Sequence, residues 1–290
     1  MSFFGKRPDS GARSAGRDVL LTGVPRSGTT LACHLLNKVP DVVALHEAMD
    51  ISRFFGQTDT ARIRRVVEKW CAKTRESVLT RGVAPSKQVD GKVPDNPWSS
   101  TRLPTGERQR LVSKGEVTID RPMTPAFTLV VKHPGLFTAL IEHLVPAYPL
   151  YAIVRNPLSV LCSWSTMDPL MQDGRVPATE RLVPGLTAAL EALPDGASRQ
   201  MHVVNWYFGR YAKLLDPSHV LRYEDVIASR GKALGVVVPA AAALDEDLKS
   251  RNKSDLYAPE MMQKFAARLH SDDGPWRRFY DDASVDALLR

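Results

Sequence analysis

The stretch Leu20–Leu36, "LLTGVPRSGTTLACHLL", constrains the fold of this chain more than any other segment. An apolar run typical of a buried strand leads into a loop with Gly23 and Gly28, and the apolar spacing of a helix begins at about Thr29. A strand that enters a glycine loop and then a helix aims several free backbone N–H groups at one point, where the helix dipole adds positive potential. The segment therefore predicts an anion site within an α/β fold.

The side chains of this loop are suited to a phosphate group. Arg26 supplies a fork of charged donors, and Ser27, Thr29 and Thr30 supply hydroxyl groups. Gly28 allows a ligand to approach the backbone closely. An ordinary strand-to-helix turn is the alternative, but it requires neither an arginine nor three hydroxyl groups. We therefore interpret these five residues as a phosphate-binding site.

The spacing of the two glycines also matches an NTP-binding P-loop, but the position of the P-loop lysine holds Thr29. That lysine reaches the β- and γ-phosphates, and the hydroxyl residue after it binds Mg²⁺. No acidic partner for Mg²⁺ is evident at the end of an apolar strand. The sequence favours a phosphate ligand without a metal, and a kinase-like phosphotransferase remains an alternative.

A second segment, "IVRNPLSVLCSW", repeats the arrangement of a strand followed by a helix. Arg155 ends the predicted strand, and Pro157 stands at the first position of the predicted helix, where proline is favoured. Ser163 lies two helical turns beyond Arg155. These two side chains could bind a second phosphate group, and a structural salt bridge of Arg155 is the alternative.

The order of elements along the chain predicts the fold class. Apolar strands and amphipathic helices alternate, which favours an α/β fold of three layers, with a central mostly parallel sheet and helices on both faces. Residues 1–17 are rich in Gly, Ser and Arg and predict a mobile tail, which leaves one domain at 18–290. The segment 81–126 is rich in Pro, Gly and polar residues and predicts a binding-site insertion with a hairpin around "RLVSKGEVTID".

Charge and cysteine content restrict the class of protein. The net charge of the 290 residues is +7, and the excess is dispersed, which suits a small polyanionic ligand better than nucleic acid. The three cysteines show no metal-binding spacing and indicate a reducing compartment. No apolar signal core and no membrane span is evident, so the sequence predicts a cytoplasmic protein, with the oligomeric state left open.

Four motifs together resemble the sulfotransferases that use 3′-phosphoadenosine 5′-phosphosulfate (PAPS). "GVPRSGTT" resembles their 5′-phosphosulfate loop, and "RNPLSVLCS" resembles their 3′-phosphate motif. "VLRYEDV" is similar to their tyrosine-bearing strand, and "GPWRRF" is similar to the C-terminal loop that covers the nucleotide. The resemblance implies a P-loop-like fold, PAPS as donor, the desulfonated nucleotide PAP as product, and no metal. It also implies nucleotide contacts from Tyr223, Arg277 and Arg278.

The resemblance extends to candidate catalytic residues. Glu47 follows Arg26 at the spacing of the catalytic glutamate in protein-tyrosine sulfotransferases, and Lys132 ends a strand from which it could reach the bridging oxygen of the donor. His133 remains an alternative base, because "KHP" is similar to the Lys-Thr-His of small-molecule sulfotransferases, although the intervening Thr is absent. His46 is a second alternative, and it stands where the protein-tyrosine enzymes have an acidic residue just before their base.

The predicted reaction is sulfuryl transfer from PAPS to a hydroxyl or amine, with Glu47 as general base. The predicted acceptor is a small molecule, sugar, lipid or glycopeptide, and the Ala and Arg content fits a bacterial enzyme. A non-catalytic nucleotide-binding protein remains an alternative.

Overall fold

The computed structural model describes residues 16–290, so the predicted tail lies outside the described residues except for Gly16 and Arg17. Nine strands are found in this part of the chain: β1 (Asp18–Gly23), β2 (Val42–His46), β3 (Val83–Gln88), β4 (Trp98–Arg102), β5 (Arg108–Arg110), β6 (Ser113–Thr118), β7 (Thr128–Lys132), β8 (Leu150–Val154) and β9 (Val220–Arg222).

Twelve α-helices are found in the same residues: α1 (Thr29–Leu36), α2 (Thr60–Arg81), α3 (Pro134–Ala139), α4 (Ile141–Leu144), α5 (Pro157–Trp164), α6 (Pro169–Gln172), α7 (Pro177–Glu180), α8 (Leu186–Glu191), α9 (Gly196–Leu214), α10 (Tyr223–Ala228), α11 (Pro259–His270) and α12 (Asp282–Asp286). No helix within residues 16–290 combines the length and the apolar character that crossing a bilayer would need.

The centre of the fold is a sheet of five parallel strands in the order β2-β7-β1-β8-β9. All residues of β2 and β8 are buried, and β1 is buried from Val19 onward. Such continuous apolar runs are typical of parallel strands covered on both faces. The predicted α/β class with a central parallel sheet is confirmed.

The connections place helices on opposite faces of this sheet. The segment β1-α1-β2 moves toward one edge, and the segment from β7 through α3 and α4 to β8 moves toward the other edge. Because crossovers between parallel strands are right-handed, two crossovers that move in opposite directions cover opposite faces. The fold therefore has three layers, as the sequence predicts.

The helix starts follow the sequence signals. α1 begins at Thr29 directly after Gly28, and α5 begins at Pro157 after Asn156. The side chain of Asn156 accepts a hydrogen bond of 3.0 Å from the backbone N–H of Leu158, which caps α5. Both helices point their N-termini at the carboxyl edge of the sheet, because each one directly follows a sheet strand.

The predicted hairpin around "RLVSKGEVTID" is wrong. β5 pairs with β4, and β6 pairs with β3, so the two strands of the predicted hairpin belong to different antiparallel ribbons. The register of the β3–β6 ribbon places Val117 opposite Ala84, and both side chains are buried. This burial of a cross-strand apolar pair favours the longer-range pairing over the local turn.

The predicted strand "HVLRYED" is shorter than expected. β9 ends at Arg222, and Tyr223 is the first residue of α10. Glu224 and Asp225 in the first turn of α10 favour a helix start there, because negative side chains stabilise a helix N-terminus. Tyr223 therefore lies just beyond the carboxyl end of β9.

The carboxyl ends of all five sheet strands meet at one edge and carry the residues that the sequence singles out. β1 leads into the Arg26 loop, β2 into Glu47, and β7 ends at Lys132. β8 leads into Arg155, and β9 leads into Tyr223. In open α/β sheets ligands bind outside the carboxyl ends of the strands, near the point where the strand order reverses. Here that point is β1, which lies between β7 and β8.

Candidate functional site

A cavity of about 900 Å³ opens at the carboxyl edge of the sheet. Its described lining carries four Asp or Glu residues against ten Lys or Arg residues: Arg26, Lys87, Arg108, Arg110, Lys132, Arg155, Arg175, Lys249, Arg251 and Lys253. A concave site with such an excess of cations concentrates anionic ligands. The cavity is therefore suited to a polyanion.

The loop after β1 forms one wall of the cavity. Arg26 has a φ of 76°, a left-handed conformation that non-glycine residues rarely adopt, and its side chain donates to Ser163 Oγ at 3.1 Å and to Asn96 Oδ1 at 3.3 Å. These two bonds use only two of the five N–H groups of the guanidinium. Strain at this position is balanced by the bonds that fix Arg26 between α5 and the segment before β4.

The first turn of α1 faces the same space. Gly28, Thr29, Thr30 and Leu31 line the cavity. The first N–H groups of an α-helix have no intrahelical partner, and α1 follows a loop that supplies no side-chain cap. Free amides and the positive end of the helix dipole thus point at the cavity beside Arg26.

The predicted serine contacts are indirect. Ser27 is buried, and its hydroxyl donates to the backbone carbonyl of Ile153 at 2.7 Å. Ser163 is buried as well, and its hydroxyl accepts from Arg26 Nε. Neither serine lines the cavity, so in this structure they fix the loop and Arg26 rather than present a hydroxyl to a ligand.

Arg26 belongs to a cluster of cations. Burial, followed by the positive charges of Arg108 and Arg155, lowers the pKa of Arg26 to about 9. Arg251 acts in the same direction. Four guanidinium groups close together in a partly buried site favour the binding of a negative charge, which would relieve their mutual repulsion.

Arg155 ties three segments together. Its Nε donates to Asn252 Oδ1 at 2.8 Å, its Nη1 to the carbonyl of Arg26 at 2.9 Å, and its Nη2 to the carbonyl of Arg251. The side chain is 4% exposed, and its guanidinium lies 4.7 Å from the centre of the Tyr223 ring. Two N–H groups of Arg155 remain for a ligand in the cavity that it lines.

Tyr223 supports this part of the site. Its hydroxyl accepts from the backbone N–H of Arg251 at 3.0 Å, and its ring lies directly against Gly28. A Cβ atom added to Gly28 would lie 2.6 Å from Tyr223 Cδ2. Glycine at this position therefore allows the loop after β1 and the residue after β9 to touch.

The segment 247–257 is a part of the site that sequence reasoning missed. Lys249, Arg251 and Lys253 line the cavity, and the carbonyl of Asn252 accepts from Ser159 Oγ at 2.9 Å. The basic and polar run "KSRNKSD" was a signal that could have pointed to it. The run contains no glycine frame and follows no strand, so its place beside Arg155 was not evident.

Arg277 and Arg278 are not brought to the cavity. Arg277 donates to the carbonyls of Asp272 and Leu269, and Arg278 donates to the carbonyl of Ala212. Neither residue is among the residues that line the cavity in the described chain. Both stabilise the C-terminal turn around the buried Trp276.

Glu47 lies at the centre of a charged group on the other side of the cavity. Its Oε1 is 2.9 Å from Lys132 Nζ and 3.4 Å from His46 Nε2, and its Oε2 is paired with Lys87 Nζ. Burial would raise the pKa of Glu47, but Lys132, His46 and Lys87 hold it well below its usual range. Glu47 is therefore ionised at neutral pH.

Both predicted histidines lie beside Glu47. Burial and the charge of Lys132 lower the pKa of His46 to about 4, and burial lowers the pKa of His133 to about 3. Both rings are neutral at pH 7. In the described part of the chain, the Nδ1 atoms of both rings are buried without a hydrogen-bond partner. The structure thus brings together four of the five predicted catalytic residues: Glu47, Lys132, His46 and His133. The fifth, Arg26, lies across the cavity.

Lys87 was also missed by sequence reasoning. It is part of β3, in the segment predicted as an insertion, and lies next to Glu47 only because the β3–β6 ribbon packs against β2. The hydroxyl of Ser86, which accepts from the backbone N–H of His46 at 2.9 Å, fixes that contact. In residues 16–290 no group of three or more His, Cys, Asp or Glu side chains is arranged to hold a metal ion.

Comparisons with known proteins identify similar structures. No protein-family model matches the chain, and no curated protein matches it. Among solved structures, the chain is similar to a sulfotransferase from Alicyclobacillus acidocaldarius. The two share 13% sequence identity, the match covers 95% of this chain and 96% of that chain, and the TM-score is 0.42. The chain is also similar to sulfotransferase STF9 from Mycobacterium avium, with 13% sequence identity and a TM-score of 0.36. That match covers 90% of this chain and 78% of the other.

A third similar structure is sulfotransferase STF1 from Mycobacterium tuberculosis, at 13% identity and a TM-score of 0.34, with 95% of this chain and 76% of that chain covered. Each of the three is a sulfotransferase, the family whose motifs the sequence resembles. Because the TM-scores are below 0.5, the assignment of function depends on the residues of this chain.

Proposed function

We propose that this chain is a sulfotransferase that takes a sulfuryl group from PAPS and transfers it to a hydroxyl or amine of an acceptor. The observation that carries the proposal is the shared edge of the sheet. One cavity at this edge is lined by the cations around Arg26, by the cations around Arg155, and by the ion pair of Glu47 and Lys132. Two separate phosphate groups and one proton transfer are what PAPS chemistry requires.

The lining fits a nucleotide with phosphate groups at both the 5′ and 3′ positions. Arg26 and the free amides of α1 are placed to bind the 5′-phosphosulfate, and Arg155 with Arg251 and Lys253 to bind the 3′-phosphate. Bidentate guanidinium groups and helix N-termini are common ligands of phosphate. Thr29 at the P-loop lysine position disfavours the phosphotransferase alternative.

Bound PAPS supplies a sulfuryl group on its 5′-phosphate: the acceptor oxygen bonds to sulfur as the bond from sulfur to the bridging oxygen breaks, which yields a sulfate ester and PAP. Glu47 accepts the proton of the acceptor hydroxyl. As an ionised carboxylate it is a weak base for an alcohol, so the proton moves late, when the new bond to sulfur has largely formed.

Lys132 has two tasks in this proposal. Its ammonium keeps Glu47 ionised through the 2.9 Å contact, and it lies 3.4 Å from Thr30 Oγ1 in the first turn of α1. A cation between the base and the phosphate loop is placed to neutralise the charge that grows on the leaving oxygen. Its 3% exposure strengthens that interaction, because little water screens it.

The test of the base is Glu47→Gln, which keeps the shape of the side chain and removes its charge. We expect PAP release from PAPS, measured across a panel of hydroxyl acceptors, to fall by about 100-fold or more, the usual contribution of a general base. PAP binding should persist, because Glu47 makes no hydrogen bond or ion pair with Arg26, Arg155, Arg251 or Lys253. Glu68→Gln on the exposed face of α2 is the matched control. Turnover by Glu47→Gln within threefold of the wild type would assign the base elsewhere, with His133→Gln as the next variant.

A further inference from the structure

We propose that the acceptor carries a negative charge of its own, apart from the group that receives the sulfuryl group, and that Lys87 and Arg110 bind this charge. The inference rests on the proposed function and deepens it, because it names the chemical class of the acceptor: hydroxy acids with an apolar body. Both residues belong to the segment 81–126 and line the cavity.

The first step concerns the two oxygens of Glu47. In this structure Oε1 of Glu47 contacts Lys132 and Oε2 contacts Lys87, so an acceptor hydroxyl that approaches Glu47 competes with one of the two lysines for a carboxylate oxygen. Lys132 is 3% exposed, ends a sheet strand and also contacts Thr30, which fixes it in place. Lys87 is 15% exposed and belongs to a two-stranded ribbon. Of the two lysines, Lys87 is therefore the one that an incoming acceptor hydroxyl displaces from Glu47 more easily.

The second step concerns the charge of Lys87 after it leaves Glu47. Burial lowers the pKa of Lys87, while Glu47 acts in the opposite direction and Arg110 and Lys132 lower it further. A partly buried ammonium that loses its carboxylate partner needs another negative charge, because an unpaired buried charge is costly. An acceptor that brings its own anionic group supplies that charge at the same moment.

The third step concerns Arg110, for which the described residues supply no counter-ion. Arg110 lines the cavity and makes no ion pair within the described residues. Asp95 is paired with Arg251 at 3.0 Å, and Asp168 caps α6 through the backbone N–H of Met171. Arg175 is neutralised by Glu180. Once Lys87 leaves Glu47, Lys87 and Arg110 are neighbouring cations that line the cavity.

The wall next to these cations is apolar, and it sets the body of the acceptor. Trp98 is the cross-strand partner of Arg110, and both side chains line the cavity. The other apolar residues on this side of the cavity lie between β5 and β6 and around α6 and α7. They are Val112, Met167, Met171, Val176 and Pro177. Aromatic and methionine side chains adapt to flat or flexible apolar groups.

The test compares hydroxy acids with their primary amides, which keep the size and remove the charge. The probes are 4-hydroxyphenylacetate with 4-hydroxyphenylacetamide, and 12-hydroxydodecanoate with 12-hydroxydodecanamide. Binding of each probe to the full chain saturated with PAP is measured by calorimetry. We expect at least one acid to bind at least tenfold more tightly than its amide, and the preference to fall below threefold in Lys87→Met and in Arg110→Met.

Lys114→Met is the matched control for these variants. Lys114 is the cross-strand partner of Lys87 in the same ribbon, but it is exposed and does not line the cavity within the described residues. Its variant should keep the preference for the acid. The proposal is wrong if no acid binds better than its amide, or if Lys87→Met and Arg110→Met leave the preference unchanged. Stabilisation by PAP alone is measured first, so a failure of the nucleotide site is recognised separately.

Discussion

Replacement of Arg155 by methionine tests both its contribution to stability and its proposed ligand role. Three guanidinium hydrogen bonds, to Asn252 and to the carbonyls of Arg26 and Arg251, are lost at a site that is 4% exposed. Hydrogen bonds to charged groups contribute about 1.5–3 kcal/mol each. The desolvation of a buried guanidinium, several kcal/mol, offsets part of this sum. We expect a net loss of about 3 kcal/mol, because three polar acceptors are also left unpaired.

For a chain of this size, a loss of about 3 kcal/mol lowers the melting temperature by roughly 6–12 °C. The assay is thermal unfolding with and without PAP at about 100 times its dissociation constant, which stabilises the wild type by about 2.7 kcal/mol. Arg155→Met should lose most of this PAP-dependent rise. Arg62→Met on the exposed face of α2 is the control, with an expected change within about 0.5 kcal/mol. A variant of Arg155 that melts within 2 °C of the wild type and keeps the full PAP response would refute the reasoning.

Two further predictions concern the loop and the histidines. Gly28→Ala should destabilise the chain by more than 1 kcal/mol, since φ is 89° and the new Cβ meets Tyr223 at 2.6 Å. Gly56→Ala, also at positive φ but with open space around it, should cost less in urea unfolding; equal losses would contradict the close contact. The pKa of His133 is lowered to about 3 and that of His46 to about 4, so the unfolded chain binds more protons between pH 4 and 6.5. The free energy of unfolding should therefore rise with pH across this window, and His133→Gln should reduce the slope; an unchanged slope would contradict the assigned burial.

The sheet and its phosphate loop could be predicted from the sequence because their signals are local. The apolar run before Gly23 and the proline after Asn156 each determine structure within a few residues. The position of Arg26 on this loop was predictable for the same reason, because the frame of the loop is visible in the sequence. Parallel strands then bring Glu47, Lys132 and Arg155 to one edge, because their carboxyl ends necessarily meet there.

The parts that could not be predicted depend on long-range packing. Lys87 reaches Glu47 because β3 pairs with β6. The register of this pairing places Ala84 opposite Val117, two buried residues that are far apart in the sequence. The segment around Arg251 contains no regular element within the described residues, so no periodicity marks it. The contacts of the "GPWRRF" motif also depend on packing, since Trp276 is buried and Arg277 and Arg278 donate to backbone carbonyls.

The most direct test of the two phosphate sites is a calorimetric titration of the chain with PAP, with adenosine 5′-monophosphate and with ATP–Mg²⁺. PAP and adenosine 5′-monophosphate share the adenosine and the 5′-phosphate, and only PAP carries the 3′-phosphate that we propose Arg155 binds. The account predicts that PAP binds at least 30-fold more tightly than adenosine 5′-monophosphate, about 2 kcal/mol, and more tightly than ATP–Mg²⁺. Equal binding of PAP and adenosine 5′-monophosphate, or tighter binding of ATP–Mg²⁺, would contradict it.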